Sequence, residues 1–584
     1  MVVLGLSAFF HDSAAALLVD GQLVAAAEEE RFSGRKHDSR FPANAIKFCL
    51  AAAGLEPGDV DYAVFYEKPA IKLERALATA LATVPRSADP FIQLLARGPS
   101  RLAVRGQIQA ATGVSRDRVL FVDHHLSHAA SAFFSSPFPE AAILTVDGVG
   151  EWATTSLGEG SGGWEGRDAC RLVLHQTMAF PHSLGLLYSV FTEYLGFEVN
   201  DGEYKVMGLA AYGEPRYREE LDRVVHLYED GSLWLDMSCF AYHRATRSGF
   251  DARLTELLGI PPRRRGSDLA IGDERPAGQL DQAYADLAAT VQAFTEDAVV
   301  AMARSALQLT GRRDLCLAGG VALNGVANNS VLERSGVRDV FIPPAPGDSG
   351  AALGCALYAQ HVLLGRPRSF VMQHAYWGAG YQNARVVEAL DRSGHAYDRH
   401  PSQETLVDRV AGALAEGEVV GWFQGRFEWG PRALGNRSIL ADPRSPGMKE
   451  RINRKVKFRE VFRPFAPAML DDCAPGYVHG RGAGQWPARF MLLVLPLRDD
   501  FAGEAPAVDH FGTARIQTVG AGWNPLFHSL ITSFRDRSGL GCLLNTSFNL
   551  RGEPIVATPE HAISTFERSE LDLLVIENCV VSRR

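Results

Sequence analysis

Short apolar runs separated by polar turns open the chain. Residues 2–7 (VVLGLS) read as a buried strand, 13–19 as a second and 22–27 as a third. The breaks between them are the polar turn Phe9-Phe10-His11-Asp12 and the tight pair Asp20-Gly21, a hairpin signal. The same plan recurs over 142–160, where AILTVDG, a short turn, EWATTSL and GEG follow one another. Two strand–turn–strand units, each with an acidic turn, predict a duplicated architecture. Between the copies, 42–53 and 70–82 carry helical periodicity. Residues 176–240 are mixed, and FPHSLGLLYSVFTEYLGF within them reads as a core helix with a nearly continuous apolar face. Residues 259–281 have loop composition, and 284–309 form a long amphipathic helix stopped by Gly311.

Beyond that helix the pattern becomes strand, small-residue turn, helix. DLCLAGGVALNGVANNSVLE places Gly319-Gly320 at such a turn, and DVFIPPAPGDSGAALGCALYAQHVLLG repeats the plan with the loop PPAPGDSG. Small residues after a strand allow close backbone approach to a nucleotide, and a helix N-terminus favours phosphate. Asn324 is a candidate contact for ribose or base. GRPRS at 365–369 reads as a hinge, which divides the chain into a first domain over 1–368 and a second over 369–584. An open, duplicated α/β fold of this kind is similar to the actin-like ATPases, whose ligands lie between halves.

Composition adds bounds. At 584 residues the chain is too long for one core. A hydrophobic content of 46% with 22% charged residues is that of a globular protein. The net charge of −9 argues against general binding to nucleic acid or anionic membranes. Eight scattered cysteines with no CxxC pair predict buried thiols in a reducing compartment. No basic flank with an apolar core opens the chain, and no run approaches the ~20 apolar residues of a membrane helix, so a cytoplasmic location is expected. Against this acidic background, the stretch between Arg426 and Arg463 holds eleven Lys or Arg and four Asp or Glu. Its glycines and prolines give backbone turns, and apolar residues embed Lys457, Arg459 and Arg463, which favours a polyphosphate site over a solvated basic face. Asn545, Thr546, Ser547 and Asn549 follow at a strand end, offering hydroxyl and amide partners or a plain turn cap.

The second candidate chemistry lies in VLFVDHHLSHAASAFF and AILTVDGVG. A helix opening after Asp123, a candidate N-cap, would project His124 and His128 from one face, and His125 with His128 is the competing pair. Asp147 stands at a strand end, and Asp348 either caps its helix or completes a metal site. Two imidazoles with carboxylate oxygen and no thiolate suit Fe(II), Mn(II) or Zn(II).

Taken together, the motifs resemble the O-carbamoyltransferases of the nodulation and antibiotic type. The matching pieces are FFHDSAAALLVDG, EEERFSGRKH, DHHLSHAASAF, VDGVGEW, FPHSLGLLYS, YKVMGLAAYG, GGVALN and PGDSGAALG. They continue through GPRALGNRSILADPR, VKFREVFRPFAPA, GTARIQTV and NTSFNLRGEPIV, so that nearly the whole chain is covered. The resemblance implies an actin-like, TsaD-like first domain of two ribonuclease-H-like halves and a YrdC-like α/β second domain. It also implies a two-stage reaction. The second domain would make carbamoyl adenylate from ATP, with magnesium, and carbamoyl phosphate; the first would pass the carbamoyl group to a hydroxyl and release AMP.

By the same resemblance the metal ligands fall on His124, His128, Asp147 and Asp348 rather than His125. Lys36, Gly320 and Asn324 would hold carbamoyl adenylate, with Asp147 beside it. His11 matches the histidine next to the acceptor hydroxyl, with Asp12 or Asp147 contributing to proton transfer. Arg432, Lys457 and Arg463 match phosphate-contacting positions. Lys457 with Arg459 and Ser547 with Asn549 resemble the basic and Ser/Asn pairs of the YrdC fold. Arg489, Arg515 and Asn545 are further ligands expected for ATP or carbamoyl phosphate. The segment over 60–115 carries no shared motif and is expected to shape the acceptor pocket. The acceptor is expected to be a small secondary metabolite such as an antibiotic, sugar or polyketide, and a homodimer is among the expected assemblies. Two readings compete, a tRNA-modifying threonylcarbamoyl-type transferase and an actin-like ATPase or regulator. Overall acidity weighs against the first, and the second leaves the basic domain and the histidine pair without a role.

Overall fold

A computed structural model describes residues 1–85, 87, 103–164, 169–267, 269, 271, 278–460 and 462–583. The chain divides into two compact units: Met1–Val24 with Ser39–Val371, and Ala25–Asp38 with Met372–Arg584. The expected first domain kept residues 25–38; the structure places them with the second unit. Buried polar contacts explain why, since Gly430 donates its N–H to Glu28 Oε1 at 2.7 Å and accepts from Arg31 Nη2 at 2.7 Å.

The first unit is built twice on one plan. Strands β1 (Val2–Ser7), β2 (Ala14–Val19), β3 (Gln22–Glu28, of which residues 22–24 belong to this unit), β4 (Tyr62–Phe65) and β5 (Val119–Phe121) follow in the sheet order β3-β2-β1-β4-β5. β1 runs antiparallel to β2 and parallel to β4. The second set is β6 (Glu140–Val146), β7 (Ala153–Ser161) and β8 (Arg171–Ala179). A separate ribbon follows, β9 (Val225–Leu227) with β10 (Leu233–Leu235), and then β11 (Leu315–Ala318) and β12 (Val340–Phe341). The second sheet has the order β12-β11-β6-β7-β8, with β6 antiparallel to β7 and parallel to β11. Each half is therefore a three-strand meander extended by two parallel strands, the expected actin-like duplication. The hydrophobic pattern showed the first two strands of the second copy but not β8, whose polar, largely solvated LHQTM lacks a clean alternation.

Helices settle where the pattern put them. Residues 42–53 and 70–82 became the helices Ala43–Ala52 and Pro69–Ala82, and FPHSLGLLYSVFTEYLGF holds Leu184–Tyr194, N-capped by Ser183. The long helix runs Gln279–Thr310 and therefore takes in the end of the expected loop over 259–281. Residues 268, 270 and 272–277 of that loop lie outside the described residues, as do 86 and 88–102 of the expected acceptor segment. Helices His124–Phe133 and Asp348–Tyr358 pack together, and glycine makes the approach. A Cβ at Gly354 would lie 1.8 Å from Ser127 O, and one at Gly5 would lie 1.9 Å from Ala352 O. Any side chain there would force the helix off both neighbours.

The second unit is a mixed α/β structure on one nine-stranded sheet. Its strands are β13 (Asp398–Arg399), β14 (Val420–Phe423), β15 (Arg437–Ala441), β16 (Ala466–Leu470) and β17 (Leu493–Pro496). They continue as β18 (Thr513–Val519), β19 (Cys542–Ser547), β20 (Leu573–Ile576) and β21 (Cys579–Ser582). The order is β13-β21-β20-β14-β15-β19-β16-β18-β17. β14 and β20 are parallel, whereas β15 pairs antiparallel with both β14 and β19. Among the described residues no helix is long and apolar enough to cross a membrane.

Candidate functional site

Four ligand atoms converge in the first unit. β5 delivers the chain to the helix His124–Phe133, and the i, i+4 spacing sends His124 and His128 to one side, where their Nε2 atoms lie 3.1 Å apart. The end of β6 brings Asp147, whose Oδ2 is 3.0 Å from His124 Nε2 and 3.8 Å from His128 Nε2. Asp348 opens its helix and places Oδ1 3.5 and 3.4 Å from the same two nitrogens. One donor atom from each residue falls within 4.8 Å of every other, and all four residues are buried. The donor set fits a divalent cation: two imidazole nitrogens, two carboxylates, no thiolate, and a buried Asp348 Oδ2 with no hydrogen-bond partner.

Electrostatics agree with the geometry. Burial disfavours charge on His124, but Asp348, Asp147 and Glu151 outweigh it and hold its pKa at about 9. Burial likewise opposes ionised Asp147, yet His124 and His128 keep its carboxyl well below the usual range. Asp147 Oδ1 accepts from the Gly320 N–H at 2.8 Å, so the turn after β11 orients it. That turn needs its first glycine: Gly319 has φ +93°, and a Cβ there would sit 2.2 Å from Val146 O. His125 belongs to the framework, with Nδ1 2.7 Å from Thr145 Oγ1 and Nε2 3.0 Å from Ala153 O. Burial, with its histidine neighbours, drops its pKa to about 3.

The helix start differs from expectation. Asp123 forms no side-chain cap; its Oδ2 takes Lys68 Nζ at 2.7 Å. The cap comes from Glu151, whose Oε2 accepts the His124 N–H at 3.1 Å, a carboxylate at a helix N-terminus. Glu151 and Tyr66, whose ring centre is 5.3 Å from that of His124, carry no local signal in the sequence. His11 Nδ1 is 3.0 Å from Asp12 Oδ2 on the turn between β1 and β2. Burial lowers the His11 pKa, but Asp12, Asp348 and Asp147 raise it to about 9. Asn324 caps the helix Gly325–Arg334 through Oδ1 and donates to Gln292 Oε1 at 2.9 Å. Gln292 in turn accepts from the Tyr188 hydroxyl at 3.0 Å.

The second unit collects cations. Lys457 Nζ faces Ser547 O at 2.8 Å, Ser547 Oγ at 3.1 Å, Asn549 O at 3.0 Å and Asn549 Oδ1 at 2.5 Å. Four acceptors exceed the three donors of an ammonium, so the residues after β19 form a tight oxygen cradle. Burial, then Arg459, Arg463 and Lys36, push the Lys457 pKa well below the ordinary lysine value. Lys36, which the resemblance grouped with Gly320 and Asn324, therefore lies in the second unit with its charge felt at Lys457. Arg459 donates to Asn453 Oδ1 at 2.7 Å and stacks on Phe465, and Arg463 lies 3.4 Å from Glu460 Oε2. Asn545 on β19 donates to Gln517 Oε1 on β18 at 2.8 Å, across the intervening β16, and Arg515 lies on β18. Arg489 stands between the Trp486 and Trp523 rings, 4.0 and 4.1 Å from their centres, and donates to Gln373.

The basic stretch is only partly a site. Arg444, Arg451, Arg454 and Lys455 are paired with Asp442, Asp572, Glu450 and Glu570. Arg437 is fully buried and donates to the carbonyls of Gln424, Asn436, Gly425 and Ala379. Arg432 lies in the loop before β15, which Glu428 organises by accepting the N–H groups of Leu434, Asn436 and Arg437.

Comparison with known proteins covers both units. The family model described as Carbamoyltransferase N-terminus matches residues 2–357, and that described as Carbamoyltransferase C-terminus matches 411–583. The chain is 42% identical to Uncharacterized protein sll1178 of Synechocystis sp. over 100% of this chain and 96% of that protein. It is 38% identical to Nodulation protein NolNO of Sinorhizobium fredii, over 99% of this chain and 79% of that protein. Among solved structures it is similar to the Acidaminococcus fermentans (R)-2-hydroxyglutaryl-CoA dehydratase component A, with 15% identity, a TM-score of 0.33, and coverage of 61% of this chain and 97% of that one. Since the two family models between them take in the duplicated α/β unit and most of the nine-stranded one, the chain belongs to the carbamoyltransferase family and is a carbamoyltransferase.

Proposed function

We propose that this carbamoyltransferase works in two stages and that its acceptor is the hydroxyl of a small molecule. In the second unit, water hydrolyses carbamoyl phosphate to carbamate and phosphate, and an oxygen of the carbamate attacks the α-phosphorus of ATP. Pyrophosphate leaves and carbamoyl adenylate forms. Lys36, Arg432, Lys457, Arg459 and Arg463 supply positive charge for the phosphates, with Ser547 and Asn549 fixing Lys457. Arg489, Arg515 and Asn545 are assigned to the same substrates. In the first unit an acceptor hydroxyl attacks the carbamoyl carbon, the bond to the adenylate oxygen breaks, and AMP leaves. His11, held through Nδ1 by Asp12, takes the hydroxyl proton.

The observation that carries this reading is the convergence of His124, His128, Asp147 and Asp348 in a buried cluster. A divalent cation of the Fe(II), Mn(II) or Zn(II) class would be held by these four and would polarise the mixed anhydride and neutralise its phosphate. Of the three aspartates that raise His11, Asp12 acts most strongly, and Asp348 and Asp147 are the two whose charge such an ion would offset, which would move His11 toward the neutral form a base requires. Gly320 and Asn324 flank the nucleotide in this assignment.

The test is transfer of label from carbamoyl phosphate to a panel of sugar, polyketide and antibiotic hydroxyls, with ATP, in protein whose metal content has been measured. The account expects a carbamate ester and AMP, both lost in His128→Ala together with the metal. Transfer that persists in metal-free His128→Ala protein would overturn the assignment.

A further inference from the structure

The motif EEERFSGRKH yields more than Lys36. Its chain segment, Ala25–Asp38, belongs to the second unit, and two of its side chains hold one residue there. Glu28, at the end of β3, accepts the Gly430 N–H at 2.7 Å, and Arg31 Nη2 donates to the Gly430 carbonyl at 2.7 Å. The two side chains are 6% and 2% exposed and lie 3.6 Å apart as an ion pair. Both backbone polar groups of a single residue, one on each of its two flanking peptide units, are thus gripped by a buried, oppositely charged pair. Gly430 has φ +106°, a conformation a side chain would oppose, so the grip acts on a bend that glycine alone adopts easily. Phe32 lies edge-on to Phe427 at 6.0 Å, and Ala26 donates to Trp377 O at 3.1 Å, which anchors the segment on either side. At the far end of the same loop the Glu428 carboxylate takes three N–H groups. Arg432 sits between these two anchors.

We propose that Glu28 and Arg31 are positioning residues for carbamoyl-group activation: by fixing Gly430 they set the loop that presents Arg432 to the phosphates of ATP or carbamoyl phosphate. This rests on the assignment of Arg432 under the proposed function. A buried ion pair is a poor source of net stability but fixes geometry well, and a displacement of about 1 Å at a phosphate contact costs on the order of 100-fold in rate.

The experiment measures pyrophosphate release from ATP and carbamoyl phosphate without acceptor in the full chain, alongside equilibrium titration with ATP. Arg31→Met is expected to raise the KM for the phosphate substrates about 10- to 100-fold, with a smaller change in kcat. Arg31→Lys, which keeps charge but not the fork, is expected to fall between, and Glu28→Gln, which keeps an acceptor oxygen, to stay nearest the native value. Divalent-cation binding by the first unit is to remain unchanged in all three, which a general loss of structure would not allow. The proposal is overturned if Arg31→Met and Arg31→Lys are folded and keep both KM and ATP affinity within about twofold of native. Absence of carbamoyl-phosphate-dependent release in native protein would instead remove the activation reading, and the ATP titration would then judge the clamp alone.

Discussion

Arg368 provides a quantitative test of how the helix that carries His124 and His128 is held. It is 1% exposed and donates to the carbonyls of Phe133, Ser136 and Phe138, where the helix His124–Phe133 ends. Its guanidinium also lies over the Phe133 and Trp164 rings, 4.7 and 4.3 Å from their centres. The helix C-terminus is the negative end of its dipole, so a buried cation there is favourable. Arg368→Met keeps the length and removes charge and donors. Three charge-assisted hydrogen bonds are worth roughly 5–9 kcal/mol together. Burial, however, has pushed the Arg368 pKa down from its ordinary value to about 10, a penalty of about 3 kcal/mol that methionine escapes. The net loss is then about 2–6 kcal/mol, which for a unit of about 350 residues, at roughly 2.1 cal/mol/K of unfolding entropy per residue, is a fall in Tm of roughly 3–8 °C. Differential scanning calorimetry of native protein, Arg368→Met and Arg368→Lys measures it, with the lysine variant expected to fall between. A shift below about 1 °C in Arg368→Met would refute the claim that this cation holds the helix end.

Other expectations follow from the same contacts. Asp348→Asn is expected to weaken Mn(II) or Fe(II) binding by at least 10- to 100-fold in a calorimetric titration, whereas His125→Gln, whose side chain faces Thr145 and Ala153, leaves the one-ion stoichiometry intact. Gly354→Ala drives a methyl group against Ser127 O, costs about 3 kcal/mol or more, and separates the two ligand-bearing helices, so both Tm and metal affinity fall. The Glu28 carboxyl is raised by burial to about 7, Arg31 notwithstanding, so the folded state holds its proton more tightly than the unfolded chain. Its contribution to stability is complete below the unfolded value near 4.5 and is lost as pH rises through about 7, roughly 3 kcal/mol in all. The Tm of Glu28→Gln relative to native is therefore expected to rise between pH 5 and pH 8, and a pH-independent difference would contradict it.

The sequence carried the periodic features and missed those set by distant contacts. Spacing alone put His124 and His128 on one face, but it offered His125 equally; only Thr145 on β6 and Ala153 at the start of β7 turn that ring into the framework. Asp123 looked like the helix cap because it stands next to the helix, while the actual cap, Glu151, comes from the turn after β6. Two hairpins announced the duplication because both are apolar and local, whereas the parallel strands β11 and β12 join their sheet only after the chain has crossed the long helix. The departure of residues 25–38 into the second unit has no local signature at all, since the contacts that cause it are with Gly430 and Trp377. The basic run misled in proportion: four of its cations are paired on the surface, and Arg437 is core.

The central claim is that activation and transfer are separate reactions in separate units. It is tested most directly by pyrophosphate and phosphate release from purified protein given ATP, with and without carbamoyl phosphate and without acceptor. The account predicts release that requires carbamoyl phosphate, is lost in Lys457→Ala and is retained in His124→Ala. Release of equal rate without carbamoyl phosphate would contradict it and leave an ATPase in place of an adenylate-forming carbamoyltransferase.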